Sequence, residues 1–227
     1  MELNRLFKDP LYWFLLIYVI SSMFFGFIYG NGLVLFLGWN LILAGVAYFF
    51  SHLFTVLRKK KKHHALPMIV LLVFILFFPN TIYVLTDFIH LQNYHFFDTY
   101  PSVYTYITED WVVFMMIAVG ALLAAKLGIA SLVKMKPYLY DVVKKYEYLF
   151  LGLLFIASSF GIYIGRFIRL NSWDILKLHT YIPLIFDRFD FFMSFMGIYI
   201  VLHIVVYFVM TNHEKSSYNR IESTLEE

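Results

Sequence analysis

Six stretches of almost uninterrupted apolar residues follow one another along the chain, separated by more polar segments. A transmembrane helix needs about 20 predominantly apolar residues, because the hydrocarbon layer of a bilayer is about 30 Å thick. The pattern predicts spans at residues 11–29, 33–57, 66–85, 111–127, 148–165 and 191–210. The third reaches this length only if it continues past Pro79, which a span tolerates where the freed carbonyl is satisfied inside the protein.

Two of the connecting segments differ from ordinary loops. Residues 79–110 and 165–190 are rich in aromatic side chains and also carry several carboxylates. Such stretches suit short helices at the membrane interface or re-entrant hairpins. The sequence therefore predicts an all-α polytopic integral membrane protein. It forms one membrane domain over residues 1–227, with two amphipathic or re-entrant extracytoplasmic segments.

The placement of positive charge predicts the orientation. If both termini lie in the cytoplasm, 14 of the 18 Lys and Arg residues are cytoplasmic and 4 are not. Cytoplasmic loops of membrane proteins carry an excess of these residues. The basic run at residues 58–62 fits an anchor near anionic headgroups better than a specific lipid site. We expect both termini in the cytoplasm and the two long segments outside.

Composition agrees with a membrane location and removes several function classes. The chain is 61% hydrophobic and 15% charged, whereas soluble domains average about 45–50% apolar and about 25% charged residues. It has no cysteine, which excludes disulfides, thiolate metal sites and cysteine nucleophiles. No basic stripe with interleaved aromatics indicates nucleic-acid binding.

The first long segment opens with a group of polar residues that could carry chemistry. In a helix Asp87 and His90 share a face, with Tyr83 one turn earlier and Asn80 at the start. A carboxylate beside an imidazole can bind a divalent metal or form an oriented general base. The alternative is a capped helix end with His90 as an interfacial hydrogen-bonding group. Spacing favours this alternative, because two potential ligands do not make a metal site.

The second long segment opens with two arginines where the orientation predicts few positive charges. Arg166 and Arg169 are three residues apart, and Asn171, Trp173 and Asp174 follow. Guanidinium groups bind carboxylate or phosphate in a planar, bidentate manner. The arginines therefore either hold an anionic ligand or form ion pairs with the acidic residues of the two segments.

Both groups lie on the same predicted side of the membrane, so one shared ligand-binding pocket is the natural hypothesis. It predicts that the side chains of the two segments converge. The candidate ligand-binding residues are Asn80, Tyr83, Asp87, His90, Arg166, Arg169, Asn171, Trp173 and Asp174.

Small residues recur every fourth position in two spans and predict close helix packing. The two series are Gly120, Ala124, Gly128 and Ala157, Gly161, Gly165. This spacing places small residues on one stripe of a helix, where backbones approach closely in lipid. Two further polar residues within spans, Asn40 and His203, are interpreted as interhelical hydrogen-bond partners.

The two polar segments also carry a resemblance. The strings FFPNTIYVLTDFIHL and GIYIGRFIRLNSWD, residues 77–91 and 161–174, resemble paired motifs of an uncharacterised bacterial family, domain of unknown function 1361. The likeness extends over most of the chain from the third span onward. It implies a small multi-pass protein of the bacterial cytoplasmic membrane. It implies no activity, substrate or catalytic residue.

Two functions remain open. One is binding or transport of a lipid or other anionic ligand through an extracytoplasmic polar site. The alternative is a membrane-embedded enzyme acting on a lipid-linked or phosphate-bearing substrate, with Asp87 and His90 as base or metal ligands and the arginines holding phosphate. No helical His-Glu-x-x-His motif supports the enzyme, so binding or transport is preferred.

The expected partners and cofactors follow from these alternatives. The lipid bilayer and an anionic lipid or small molecule are the expected partners, and nucleic acid is not. Six short spans would make a minimal transporter, so transport would call for a homo-oligomer. No cofactor is identified, and a divalent metal at Asp87 and His90 belongs to the enzyme alternative.

Overall fold

Helices make up most of the chain, and the main helices begin within a few residues of the predicted spans. The computed structural model describes residues 9–59, 65–98, 103–143 and 146–225. The α-helices are α1 (Pro10–Ile28), α2 (Gly32–Lys59), α3 (Ala65–Phe77), α4 (Asn80–Tyr83), α5 (Thr108–Val143), α6 (Glu147–Tyr163), α7 (Ile182–Phe186) and α8 (Phe189–Leu225). Within the described ranges the chain forms no β-strand, and β-pairing is limited to an isolated bridge between Phe97 and Tyr104.

Six helical segments of the described chain are long and apolar enough to cross a membrane, which confirms the predicted fold class. They are Pro10–Ile28, Gly32–Lys59, Ala65–Asn93, Thr108–Leu139, Glu147–Ile168 and Phe189–Thr211. Every backbone polar group in lipid must be satisfied internally, and helices do this within one segment. The chain is therefore a multi-pass membrane protein.

The third span is not one regular helix. α3 ends at Phe77, α4 begins after Pro79, and a 3₁₀ helix follows from Val84 to Asn93. Pro79 lacks an amide hydrogen and breaks the helix. The side-chain amide of Asn80 donates to the Phe77 carbonyl at 2.9 Å and so satisfies one acceptor at the break. The result is an extended span that places a polar 3₁₀ segment at its end.

The centre of the bundle is the contact between α2 and α5. α1 and α3 pack on α2, the 3₁₀ helix packs on α5, and α8 packs on α6. Leu37 and Leu41 of α2 meet Ile117 and Leu127 of α5 in a fully buried apolar cluster. The α6–α8 pair stands beside this centre and leaves space between α6 and α2.

The small-residue series form close contacts, as predicted, with one exception. A Cβ at Gly120 would lie 2.4 Å from the Tyr18 hydroxyl oxygen, and one at Gly128 would lie 2.5 Å from Thr81 Oγ1. On α6, a Cβ at Gly161 would lie 2.8 Å from Pro79 Cγ. Ala157 differs from the rest of its series, because it is exposed and faces a cavity.

His203 is an interhelical hydrogen-bond partner, as predicted. Its Nε2 lies 2.8 Å from the hydroxyl of Ser158 on α6, and its Nδ1 lies 2.7 Å from the Tyr199 carbonyl. The ring is almost fully buried between Phe78 and Phe155. The bond to Ser158 joins α8 to α6, whereas the bond to Tyr199 lies within α8.

The end of the bundle where α1 begins has its own ion pair. Lys134 Nζ lies 3.0 Å from Asp9 Oδ2 and donates to the Tyr48 hydroxyl at 2.7 Å, and that hydroxyl donates to Asp9. Burial alone would raise the pKa of Asp9, but the hydrogen bonds from Tyr48 and Lys134 hold it below the ordinary value. Lys60, Lys61 and Lys62 of the predicted anchor lie outside the described residues.

Candidate functional site

Asp87 is a fully buried carboxylate in the 3₁₀ helix that ends the third span. Its Oδ2 accepts a hydrogen bond from the Asn40 side-chain amide at 2.9 Å, and its Oδ1 lies 2.6 Å from Arg166 Nη2. A buried charge is tolerated in a membrane protein only where it is paired and hydrogen-bonded. Asp87 therefore joins three spans and does not cap a helix end.

Arg166 forms the ion pair with Asp87. It lies in a π-helical turn, Ile164–Ile168, that continues α6. Its guanidinium lies 4.5 Å from the centre of the Tyr83 ring and also donates to Thr86 Oγ1. Stacking on an aromatic face and a charged hydrogen bond to a carboxylate both suit the planar arginine head. Of the two roles considered for Arg166, binding an external anion or pairing with an acidic residue of the protein, the structure shows the second.

Arg169 stands in a different environment only three residues later. Its backbone is left-handed, with φ 63° and ψ 33°, a conformation that costs a non-glycine residue about 1–2 kcal/mol. Its side chain is exposed at the rim of the cavity. Within the part of the chain that the structure describes, Arg169 has no ion-pair or hydrogen-bond partner. The fold thus holds an unpaired cation at a strained position.

A cavity of about 1030 Å³ opens beside these residues, between α2 on one side and α6 with α8 on the other. The residues around one end are mainly polar: Asn40, Asn80, Tyr83, Thr86, His90, Arg166, Arg169, Asn171 and Ser172. Below them the walls are apolar and include Leu43, Ile75, Leu76, Ala157 and Phe160. A concave, mostly apolar space with a few polar groups at one end is typical of a ligand site.

The cavity brings together most of the predicted site residues. Asn80, Tyr83, His90, Arg166, Arg169 and Asn171 line it. Asp87 does not line it but contacts Arg166. Trp173 and Asp174 are not among the lining residues. Asp174 instead accepts hydrogen bonds from the backbone and side-chain amides of Asn171, both at 3.2 Å.

Sequence reasoning did not place three polar groups at the site. Asn40 was expected to form a hydrogen bond with another helix. Its partner, Asp87, could not be identified from the sequence, because the two residues are 47 positions apart. The Thr86 hydroxyl accepts a hydrogen bond from Arg166, and the Ser172 hydroxyl accepts one from the Asn80 side-chain amide at 3.3 Å. A span asparagine is a detectable signal, because intramembrane polar groups need partners. The two hydroxyl groups offered no comparable signal.

His90 keeps the geometry that the spacing predicted. In a 3₁₀ helix, residues three apart eclipse each other, and His90 Nε2 lies 3.9 Å from Asp87 Oδ1. Both carboxylate oxygens of Asp87 already have partners. Among the described residues, no three or more His, Cys, Asp or Glu side chains group as they would around a metal ion.

The model of a family described as protein of unknown function (DUF1361) matches residues 39–211 of the chain. The chain belongs to this family. The match confirms the resemblance to this family, and the matched range includes residues 77–91 and 161–174 together with Asn40, Asp87 and Arg166. In this DUF1361 protein α1 lies outside the matched range. No curated protein and no solved structure matches the chain.

Proposed function

We propose that this DUF1361 protein binds an anionic ligand in the cavity, with Arg169 as the residue that receives the negative charge. The observation that carries the proposal is the unpaired, exposed arginine at the polar end of a large, mostly apolar space. Arginine binds carboxylate and phosphate groups through parallel hydrogen bonds. A ligand with an acidic group and an apolar body fits both parts of the cavity.

The local charge supports an anion. Arg166 and Asp87 offset each other, whereas Arg169 adds a positive charge that no described carboxylate balances. No Asp or Glu is among the residues that line the cavity. A concave site with walls of low dielectric focuses such a field and attracts ions of opposite sign.

The amides and hydroxyl groups near Arg169 would complete the recognition. Asn171 and Ser172 follow it in the chain, and Asn80 faces Ser172. The Asn171 amide and the Ser172 hydroxyl can donate to anionic oxygens without adding charge, whereas both amide hydrogens of Asn80 are directed to Phe77 and Ser172. Under the proposed orientation, in which both termini are cytoplasmic, the site lies on the outer side of the bacterial cytoplasmic membrane.

Native mass spectrometry of protein extracted gently from membranes tests this proposal. We expect wild-type protein to retain an acidic ligand that Arg169→Ala loses by about tenfold, because a charged hydrogen bond contributes about 1.5–3 kcal/mol. Arg188→Ala is the matched control, since Arg188 is exposed and does not line the cavity. Equal ligand retention in wild type and Arg169→Ala would contradict the proposal.

Catalysis is the second candidate, and the position of His90 favours it. His90 lines the cavity, and its Nε2 lies 3.9 Å from Asp87 Oδ1. A shift of less than about 1.5 Å would bring the ring within the hydrogen-bond distance of about 2.6–3.2 Å that an oriented base needs. The same spectra separate the two functions. A bound divalent metal that His90→Gln removes, while Arg169→Ala retains it, would support the enzyme.

A further inference from the structure

The apolar part of the cavity runs deep along the spans. Ala157 on α6 lies nine residues before Arg166, and an α-helix rises about 1.5 Å per residue, so the apolar part extends about 13 Å along the helix. On the opposite wall, Leu43 of α2 lies below Asn40, and Ile75 of α3 lies below Asn80. This depth approaches half of a hydrocarbon layer of about 30 Å.

The cavity also opens sideways. Phe36 and Trp39, which line it from α2 at and above the level of Asn40, are 42% and 47% exposed. Ala157 on the facing side of α6 is also exposed. In a multi-pass membrane protein, a side opening at the level of apolar span residues faces the hydrocarbon of the bilayer. A hydrocarbon chain can enter there without passing through water.

Small side chains keep this space open. Gly161 packs directly on Pro79 and so brings α6 against the third span. One turn earlier, Ala157 has only a methyl group, and the wall recedes to form the cavity. A small soluble anion at Arg169 would leave the apolar part unfilled, whereas burying a hydrocarbon chain there is favourable.

We propose that the ligand is a lipid with a phosphate-bearing acidic headgroup. The phosphate contacts Arg169, and one hydrocarbon chain lies in the cleft between α2 and α6, having entered from the bilayer. This inference rests on the proposed anion site and specifies the class of its ligand. It assigns separate tasks to Arg169, which holds the charge, and to the space beside Ala157, which holds the chain.

The test measures phosphatidylglycerol bound to the whole protein in phosphatidylcholine nanodiscs, with native mass spectrometry as the readout. Ala157→Phe fills the cleft without changing Arg169. We expect it to lower phosphatidylglycerol binding about tenfold, because the chain loses its space. Gly152→Phe is the matched control, since Gly152 is on the same helix with nothing within 4 Å of an added Cβ. Leu43→Trp fills the cleft from α2 and serves if Ala157→Phe does not fold.

A second probe separates the lipid from a soluble anion. Thermal unfolding with glycerol phosphate reports headgroup binding alone, and we expect this effect to be weak and equal in wild type and Ala157→Phe. If Ala157→Phe and Leu43→Trp retain phosphatidylglycerol but Arg169→Ala loses it, the anion site stands and the chain position is wrong. Glycerol phosphate binding as tightly as phosphatidylglycerol would also overturn the lipid. If no variant changes binding, the anion site fails as well.

Discussion

Two arginines three residues apart have opposite roles at this site. Arg166 is drawn into the protein by the buried carboxylate of Asp87, and the Tyr83 ring covers its flat face. Arg169 follows a turn into the left-handed region and remains at the cavity rim. Residue type alone does not separate them. Their roles differ because Arg166 lies next to Asp87, a carboxylate buried away from water, whereas Arg169 does not.

Removal of Arg166 should destabilise the protein strongly. Arg166→Gln leaves Asp87 buried without its cation, and breaking a buried ion pair costs about 3–5 kcal/mol. Denaturant unfolding in detergent micelles measures the change. Arg188→Gln is the control and should change stability by less than about 0.5 kcal/mol, as exposed substitutions do.

The double variant Asp87→Asn/Arg166→Gln tests the cause of this loss. It removes both charges and retains groups that can hydrogen-bond, so it should regain much of the stability. If it is no more stable than Arg166→Gln, the uncompensated carboxylate is not the reason for the loss, and packing of the arginine on Tyr83 is.

At the scale of elements, the site is built where two spans leave the regular α-helix. α4 passes into a 3₁₀ helix after Tyr83, and α6 passes into a π turn after Tyr163. π-helical turns are rare in proteins as a whole, but those that occur are often found at functional sites. These irregular ends place Asp87 and Arg166 within reach of each other while the spans below remain close-packed.

Close packing of α5 predicts opposite effects for two glycine substitutions. Gly120→Ala should destabilise the protein by about 1–3 kcal/mol, because its Cβ would lie 2.4 Å from the Tyr18 hydroxyl oxygen in a packed interface. Gly152→Ala on α6 meets nothing within 4 Å. It should be neutral or stabilising by up to about 1 kcal/mol, because alanine favours a helix. Thermal unfolding in one detergent compares them, and equal effects would contradict the contact at Gly120.

At the scale of the whole molecule, charge and polarity separate the two ends of the bundle. One end carries the Asp9–Lys134 and Lys136–Glu147 pairs. The other end carries the cavity, the Asp87–Arg166 pair and Arg169. The excess of Lys and Arg in the segments at the first end favours a cytoplasmic location for it.

Labelling of single cysteines tests this orientation without background, because the chain has no cysteine. Trp173→Cys places a thiol at the cavity end, and Tyr148→Cys places one at the other end, where the side chain is 79% exposed. A membrane-impermeant maleimide should label only Trp173→Cys in intact cells, and both variants after permeabilisation. The reverse pattern would invert the orientation and place the cavity in the cytoplasmic half.

The sequence alone determined the membrane class, the six spans and the two polar segments that supply the site. It did so because the thickness of the hydrocarbon layer sets a minimum length for an apolar helix. The small-residue stripe of α5 was equally readable, since its spacing defines a helix face. Asp87 and His90 were singled out by their spacing on one helix face, and Arg166 because it stands where the predicted orientation expects few positive charges.

Only the tertiary structure decided how these groups are paired. Asp87 and Arg166 are separated by 79 residues, and local spacing contains no record of which partner a side chain meets across such a distance. Asp174 was expected in the shared pocket, but its carboxylate accepts hydrogen bonds from Asn171, a contact between residues only three apart. The left-handed turn at Arg169 and the space beside Ala157 depend on how α6 packs against the third span. That packing depends on both helices together, and no periodic pattern in the sequence of either helix predicts it.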